Sequence, residues 1–156
     1  YFNKIFPIAF LIFFLTSFIS CRNTGGSSIP SAPVFIKYNL SVHNTVLRAP
    51  LDYVTFEKRN DLEGIYNIGY GGVLVNMDMN GKLCAFDMTC PRENDKEVKV
   101  QPDDTGAYAV CENCGSKFDL VYGYGQVSQG PSKDNLKRYN AYIGNENGVQ
   151  ILVVKN

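Results

Sequence analysis

Cysteine is the residue type whose spacing in this sequence first suggests chemistry. Five cysteines occur among the 156 residues, and Cys111 and Cys114 are separated by two residues in the segment CENCGS. Two thiolates at this spacing on a tight loop converge on one ion, so the pair has the geometry of a metal knuckle. Cys90 lies in a second loop-like segment, TCPR. The sequence contains no second C-x-x-C pair, so the spacing alone is compatible with several uses of these thiols.

The elements that must position these cysteines are predicted to be short β-strands. From Val34 onward the apolar residues alternate with period two, and no segment has the 3.6-residue period of a helix. Asn80-Gly81 lies between two strand-like runs, which is a strong local signal for a hairpin. About ten strands with turn residues every 8–12 positions predict an all-β sandwich or barrel. The predicted strands are 34–40, 52–57, 73–77, 82–87, 97–101, 107–110, 117–120, 136–143 and 149–154.

The first 21 residues are interpreted as a targeting signal. Lys4 precedes an apolar run from Phe6 to Ile19, which is shorter than the ~20 residues of a spanning helix. A charged start followed by a short apolar run is typical of a secretory signal peptide. Cys21 follows this run as the cysteine of a loosely matched lipobox, the position at which a bacterial lipoprotein is acylated. Ordinary cleavage, with Cys21 a plain residue, is the alternative.

Residues 22–33 are predicted to be a flexible tether, because they are rich in Gly, Ser and Pro and have no apolar periodicity. Residues 34–156 then form the single β-domain. The chain is accordingly expected to be exported and lipid-anchored to a bacterial membrane, at the periplasmic face or the cell surface.

Charge excludes one class of partner. The whole chain has 15 basic and 15 acidic residues, and the predicted mature part loses only one basic residue, Lys4. There is no basic surplus to neutralise phosphates, so no nucleic-acid partner is expected. The expected partners are a membrane, through the lipid anchor, and a protein of unknown identity.

Three segments resemble the Rieske iron–sulfur family. The segment 85–91, AFDMTCP, is similar to the first Rieske box, and the segment 111–119, CENCGSKFD, is similar to the second. Gly130-Pro131, followed by the strand-like run from Leu136, resembles the family's proline loop. The resemblance covers about residues 71–154. It implies a Rieske-like β-sandwich or barrel with a small subdomain carrying residues 88–116 at the metal-site position.

The same resemblance implies a [2Fe–2S] centre with two cysteine and two histidine ligands, and here the sequence departs from the family. Cys90 and Cys111 match the two cysteine ligands, but Arg92 and Cys114 stand at the two histidine positions. Arginine cannot ligate iron because it keeps its proton. His43 is the only histidine and precedes the matching region. Ser116 stands where the family hydrogen-bonds a cluster sulfur; without a cluster it is a turn residue.

Three uses of the cysteines stay open. Cys90, Cys111 and Cys114 could bind zinc with a carboxylate from Glu93 or Asp95, or hold an altered [2Fe–2S] cluster, for which mid-strand Cys84 is poorly placed as a fourth ligand. Arg92 would then favour the thiolate form.

The second use, and the expected one, is a disulfide from Cys90 to Cys111 or Cys114 with no cofactor, because an exported protein meets an oxidising compartment. The third is a redox pair within Cys111-x-x-Cys114. No catalytic constellation is recognisable, so an enzyme is not expected, although the family analogy is an oxidoreductase component. The expected function is a non-redox binding or structural module, and the alternative is electron transfer through an altered cluster or a zinc site.

Overall fold

The protein is described by a computed structural model that covers residues 26–42 and 47–156. Eleven strands lie in this part of the chain, and the one other regular element is a 3-10 turn at Asp61–Glu63. The all-β prediction is confirmed. The strands are β1 Val34–Asn39, β2 Tyr53–Phe56, β3 Ile65–Ile68, β4 Val73–Met77, β5 Leu83–Asp87, β6 Val100–Pro102, β7 Tyr108–Cys111, β8 Lys117–Asp119, β9 Val127–Gln129, β10 Arg138–Glu146 and β11 Val149–Lys155.

The predicted signal peptide at 1–21, the lipobox Cys21 and the histidine His43 lie outside the described residues. Within the part of the chain that is described, no helix is long and apolar enough to cross a membrane. The signal peptide and the lipid anchor therefore stay predictions.

The larger sheet has seven strands in the order β2-β4-β5-β10-β11-β1-β3 and curls into a half-barrel. Every neighbouring pair is antiparallel. The long strand β10 joins the two halves, because Arg138 and Tyr139 pair with β5 while the residues from Asn140 to Glu146 pair with β11.

The smaller sheet has four antiparallel strands in the order β6-β7-β8-β9. It is inserted in the chain between β5 and β10, so it extends the predicted small subdomain beyond residue 116 to Gln129. Cys90 lies in the loop that leads into this sheet, Cys111 is the last residue of β7, and Cys114 lies in the turn between β7 and β8. The position of the smaller sheet therefore determines which cysteine side chains lie close together.

Strands β4 and β5 of the larger sheet separate two hydrophobic cores, because their side chains point alternately to the two faces of that sheet. One core contains Val73, Val75 and Ala85 together with residues of β1 and β11. The other contains Leu74 and Phe86, packed against four residues of the smaller sheet and its end: Val100, Ala109, Phe118 and Leu120. Cys84 lies in this second core and is 3% exposed.

Turn residues explain two hairpins, one of them in a different form from that predicted. At Asn80-Gly81 only Gly81 has a positive φ, of 77°. The Asp78 carboxylate accepts from the N–H groups of Asn80 and Lys82, which closes a three-residue loop. The two-residue turn with positive φ at both positions lies instead at Asn147-Gly148, between β10 and β11.

Part of the predicted tether lies against the domain. We call residues 27–33 the N-terminal strap. Ile29 is 4% exposed, and Lys137 Nζ donates to the carbonyl oxygen of Pro30 at 2.9 Å. Ser28 Oγ donates to the carbonyl oxygen of Pro91, next to Cys90, at 2.8 Å. The strap thus reaches from β1 to the loop that carries the first cysteine of the candidate site.

Candidate metal centre

The first loop of the site, residues 88–99, follows β5 and carries Cys90. Its two ends are held by a bridge between Thr89 and Lys99, and Cys90 N donates to Val98 O at 2.9 Å. Asn94 N then donates back to Cys90 O at 2.9 Å. Residues 90–94 therefore form a closed turn that fixes where the Cys90 thiol points.

The second loop, residues 111–116, connects β7 to β8. Cys111 N donates to Ser116 O at 2.9 Å, and Gly115 N donates to Cys111 O at 2.8 Å. Gly115 has a φ of 71°, a conformation that glycine adopts without strain. This turn brings the thiols of Cys111 and Cys114 to one side, as the C-x-x-C spacing predicted.

Together the two loops bring the three predicted metal ligands to one point. The sulfurs of Cys90, Cys111 and Cys114 all lie within 4.8 Å of one another, and Cys90 Sγ and Cys114 Sγ are 3.7 Å apart. Cys90 and Cys111 are fully buried, whereas Cys114 is partly exposed. The group is therefore buried at Cys90 and Cys111 and accessible to solvent at Cys114.

No other candidate ligand joins this group among the described residues. Cys84 lies apart in the core behind β5. Asp95 accepts from Glu97 N at 2.9 Å, and the Glu93 carboxylate faces its neighbour Arg92, with Oε1 at 3.9 Å from Nε. Neither carboxylate that the sequence suggested as a fourth zinc ligand is placed with the thiols.

Burial and hydrogen bonding shift the pKa values of these thiols in opposite directions. Burial raises the pKa of Cys90 to about 12, although the N–H groups of Glu93 and Arg92 oppose this rise. For Cys114 burial also acts upward, but hydrogen bonds from the Ser116 side chain and N–H, and from the other two thiols, outweigh it. The pKa of Cys114 therefore lies below its ordinary value. Cys114 is therefore more ready than Cys90 to become a thiolate.

Arg92 acts differently from its predicted role. Its backbone N–H, not its guanidinium, contributes to the pKa of Cys90. The exposed side chain instead donates from Nη1 to Pro131 O at 3.4 Å. The expectation that the positive charge of Arg92 lowers a thiol pKa is not supported by this geometry.

A third loop, residues 130–134, closes over the second one. Ser132 N donates to Ser116 Oγ at 3.0 Å, and Ser116 Oγ lies 3.2 Å from Cys114 Sγ. Ser116 is fully buried. Gly130 has a φ of 96°, and a Cβ there would lie 2.5 Å from Ser116 Cα. Ser116 therefore both contacts a sulfur and anchors the third loop, which is more than the turn role that the sequence suggested.

Two residues that the sequence analysis did not select support the first loop. The Asp87 carboxylate, at the end of β5, is fully buried and accepts a hydrogen bond from Tyr139 Oη at 2.7 Å. The signal that could have revealed it is an acidic residue ending the otherwise apolar strand LCAFD, because a buried carboxylate needs several donors.

The donor set does not fit a Rieske cluster. Such a cluster needs two histidine ligands, and an all-cysteine [2Fe–2S] centre needs four thiolates, whereas the group found among the described residues has three thiols. The predicted disulfide is also not formed here, since Cys84, Cys90, Cys111 and Cys114 are all free thiols. The comparison with protein-family models gives no match, and no match is found among curated proteins.

Proposed function

We propose that this chain is a membrane-anchored, Rieske-like lipoprotein whose domain acts as a non-redox binding or structural module. In this proposal Cys90, Cys111 and Cys114 bind a single thiophilic metal ion, for which zinc is the first candidate. The all-β scaffold supplies two loops that hold the thiols together. The lipid at Cys21 holds the domain on a membrane facing the periplasm or the cell exterior.

The sulfur spacing carries this proposal. Zn–S bonds of ~2.3 Å at the tetrahedral angle place two thiolate sulfurs ~3.8 Å apart, and Cys90 Sγ and Cys114 Sγ are 3.7 Å apart. A disulfide needs ~2.05 Å, so the two sulfurs would have to approach each other by well over an ångström. Three thiolates leave a fourth position on the ion, which a water molecule or a ligand from a partner can occupy.

The non-redox part of the proposal rests on the proposed metal and on the small number of histidines. Zn²⁺ has a filled d shell and does not change its oxidation state. The whole chain contains one histidine, so it cannot supply the two imidazoles that hold the outer iron of a Rieske centre. Among the described residues the three thiols have no fourth ligand that would complete an altered cluster.

The test is a metal analysis of the full exported chain, purified without chelator. We expect about one zinc per chain and neither iron nor acid-labile sulfide. Cys90→Ser, Cys111→Ser and Cys114→Ser should each remove stoichiometric zinc. Cys84→Ala is the matched control and should keep it, because Cys84 is buried in the core and lies outside the sulfur group. Stoichiometric iron and sulfide would overturn the proposal in favour of electron transfer.

A disulfide-stapled module without metal is the second candidate, because Cys90 and Cys114 are neighbours and a movement of their side chains would close the 3.7 Å between the two sulfurs. Oxidation would remove one proton and one electron from each thiol, with the oxidant of the exporting compartment accepting the electrons. Mass spectrometry of the unreduced chain distinguishes the two. A peptide pair linked through Cys90 and Cys114, with no zinc present, would favour the staple.

A further inference from the structure

The N-terminal strap brings the start of the β-domain to the cysteine site. Besides the bonds of Ser28 and Lys137, its carbonyl at Ala32 accepts from Asn156 Nδ2 at 3.0 Å, and Gly69 N donates to Pro33 O at 3.0 Å. The strap is therefore held at several points along the surface. Its N-terminal end lies beside Pro91, one residue after Cys90.

Each of the two cavities that border the strap has two cations in its lining. One, of about 340 Å³, is lined by Ser28 and by Arg92, Lys133 and Asp134. The other, of about 300 Å³, is lined by Ser27 and Ile29 and by Lys137 and Arg138. The two linings thus hold four cations and one carboxylate, and a second carboxylate, Glu93, lies 3.9 Å from Arg92. Lys133, Lys137 and Arg138 form no ion pair within the described residues. Lys137 Nζ donates to neutral strap carbonyls and Arg138 lies over the Phe86 ring, so neither of these two charges is neutralised by a paired carboxylate.

The opposite end of the smaller sheet has the opposite charge. Strand β7 runs from Tyr108 to Cys111, so the turn that precedes it, residues 103–106, lies at the end remote from the cysteines. A cavity of about 370 Å³ at this end is lined by Asp52 and Asp104 and by no cation. The strap end of the domain, which we call the basic end, thus carries four cations, whereas the exposed carboxylates of Asp95, Glu97 and Glu112 lie on the cysteine loops.

An exposed tyrosine accompanies the cations of the basic end. Tyr124 is 59% exposed and lines the same cavity as Ile29 and Arg138. Tyrosine is enriched at membrane–water interfaces, where its ring lies among the headgroups while its hydroxyl stays hydrated. Cations near such a surface are attracted to anionic headgroups within about a Debye length.

We propose that this face, made of the strap, the four cations and Tyr124, docks on an anionic lipid surface. The inference rests on the lipid anchor of the proposed function. Five residues, 22–26, separate Cys21 from the strap, and an extended chain of this length spans only ~20 Å. A domain of this size has a radius of gyration of ~14 Å, so the anchor keeps the strap face nearest the bilayer.

The experiment uses the absence of tryptophan from the chain, which makes a single introduced tryptophan an unambiguous reporter. Tyr124→Trp places it on the proposed docking face, and Tyr53→Trp places it at the acidic end, where Tyr53 is 42% exposed. Each full chain is exported by a bacterial host and its Cys21 acylation is checked by mass spectrometry. The chains are then reconstituted into phosphatidylglycerol vesicles with or without brominated acyl chains.

We expect bromine to reduce the fluorescence of the Tyr124→Trp chain by about twofold while that of the Tyr53→Trp chain stays nearly unchanged, because only an interfacial ring reaches the acyl region. High salt or phosphatidylcholine should reduce the difference. Equal quenching of both reporters in an acylated chain would overturn the orientation alone and leave the cationic face for an acidic protein. A chain without an acyl group at Cys21 would overturn the anchoring step of the proposed function, and this inference with it.

Discussion

The Tyr139 phenol donates a 2.7 Å hydrogen bond to Asp87 Oδ2, and both side chains are buried. The same carboxylate accepts from the N–H groups of Tyr70, Gly71 and Thr89. Asp87 therefore ties the β3–β4 turn and β10 to the residue that precedes Cys90. Because an ionised carboxylate in the interior needs such donors, the cluster fixes the point at which the first cysteine loop leaves the larger sheet.

Tyr139→Phe should lower the free energy of unfolding by about 1–3 kcal/mol, because it leaves the buried Asp87 carboxylate with one donor fewer. Urea denaturation at pH 7 measures the change. Tyr142→Phe is the matched control, since Tyr142 lies in the same strand but is 46% exposed. An equal effect of the two substitutions would contradict this role of Tyr139.

The same variant makes a prediction about alkaline pH. Burial, and then the bond to Asp87, raises the pKa of Tyr139 in the folded protein well above its ordinary value. A pKa that is higher in the folded than in the unfolded protein adds to the free energy of unfolding. This contribution is fully present below the unfolded pKa of ~10 and is lost as the pH rises from there toward the folded pKa. The stability difference between the native chain and Tyr139→Phe should therefore shrink above about pH 10. A constant difference would contradict the raised pKa.

Gly130→Ala should displace the third loop from the second, since the added Cβ would lie 2.5 Å from Ser116 Cα. Gly81→Ala is the matched control, because Gly81 also has a positive φ but a Cβ there would meet nothing within 4 Å. Gly81→Ala should lower the free energy of unfolding by the backbone strain alone, about 1–2 kcal/mol. Gly130→Ala should lower it by about 1–3 kcal/mol more. Thermal or urea unfolding compares the two, and equal losses would contradict tight packing between these loops.

Ser116→Ala should weaken zinc binding about tenfold or more, because residues that support a ligand tune its basicity and orientation. The hydroxyl lies 3.2 Å from Cys114 Sγ and accepts from Ser132 N. Competition with a chromophoric chelator measures the affinity. Ser128→Ala, at an exposed position of β9, should leave it unchanged. Unchanged affinity in Ser116→Ala would show that the hydroxyl does not act on the site.

The thiols of the metal-free protein should react in a definite order. Cys114 is the most exposed of the three and has a lowered pKa, so iodoacetamide should modify it first at pH 7–8. Cys90 should stay unmodified in the folded protein, because it is fully buried and its pKa is raised to about 12. Peptide mass spectrometry after timed labelling gives the order, and Cys90 reacting before Cys114 would contradict it.

Local patterns predicted much of the fold. Strand β4 has the predicted bounds, Val73–Met77, because its apolar run is closed on both sides by turn residues. Strands β3 and β9, at Ile65–Ile68 and Val127–Gln129, were not predicted. They are short and surrounded by Gly, Asn and Gln, so pairing with β1 and β8 rather than local propensity makes them strands.

The all-β class and the convergence of Cys111 and Cys114 can be read from the sequence, since side-chain alternation and the geometry of a two-residue spacing are local properties. The resemblance to a known family added Cys90 to the pair. Tertiary packing places Cys90 Sγ 3.7 Å from Cys114 Sγ and leaves Glu93 and Asp95 outside the sulfur group. It also decided that the strap lies beside the site. These relationships join positions far apart in the chain, and they depend on how the two sheets pack, which no local pattern specifies.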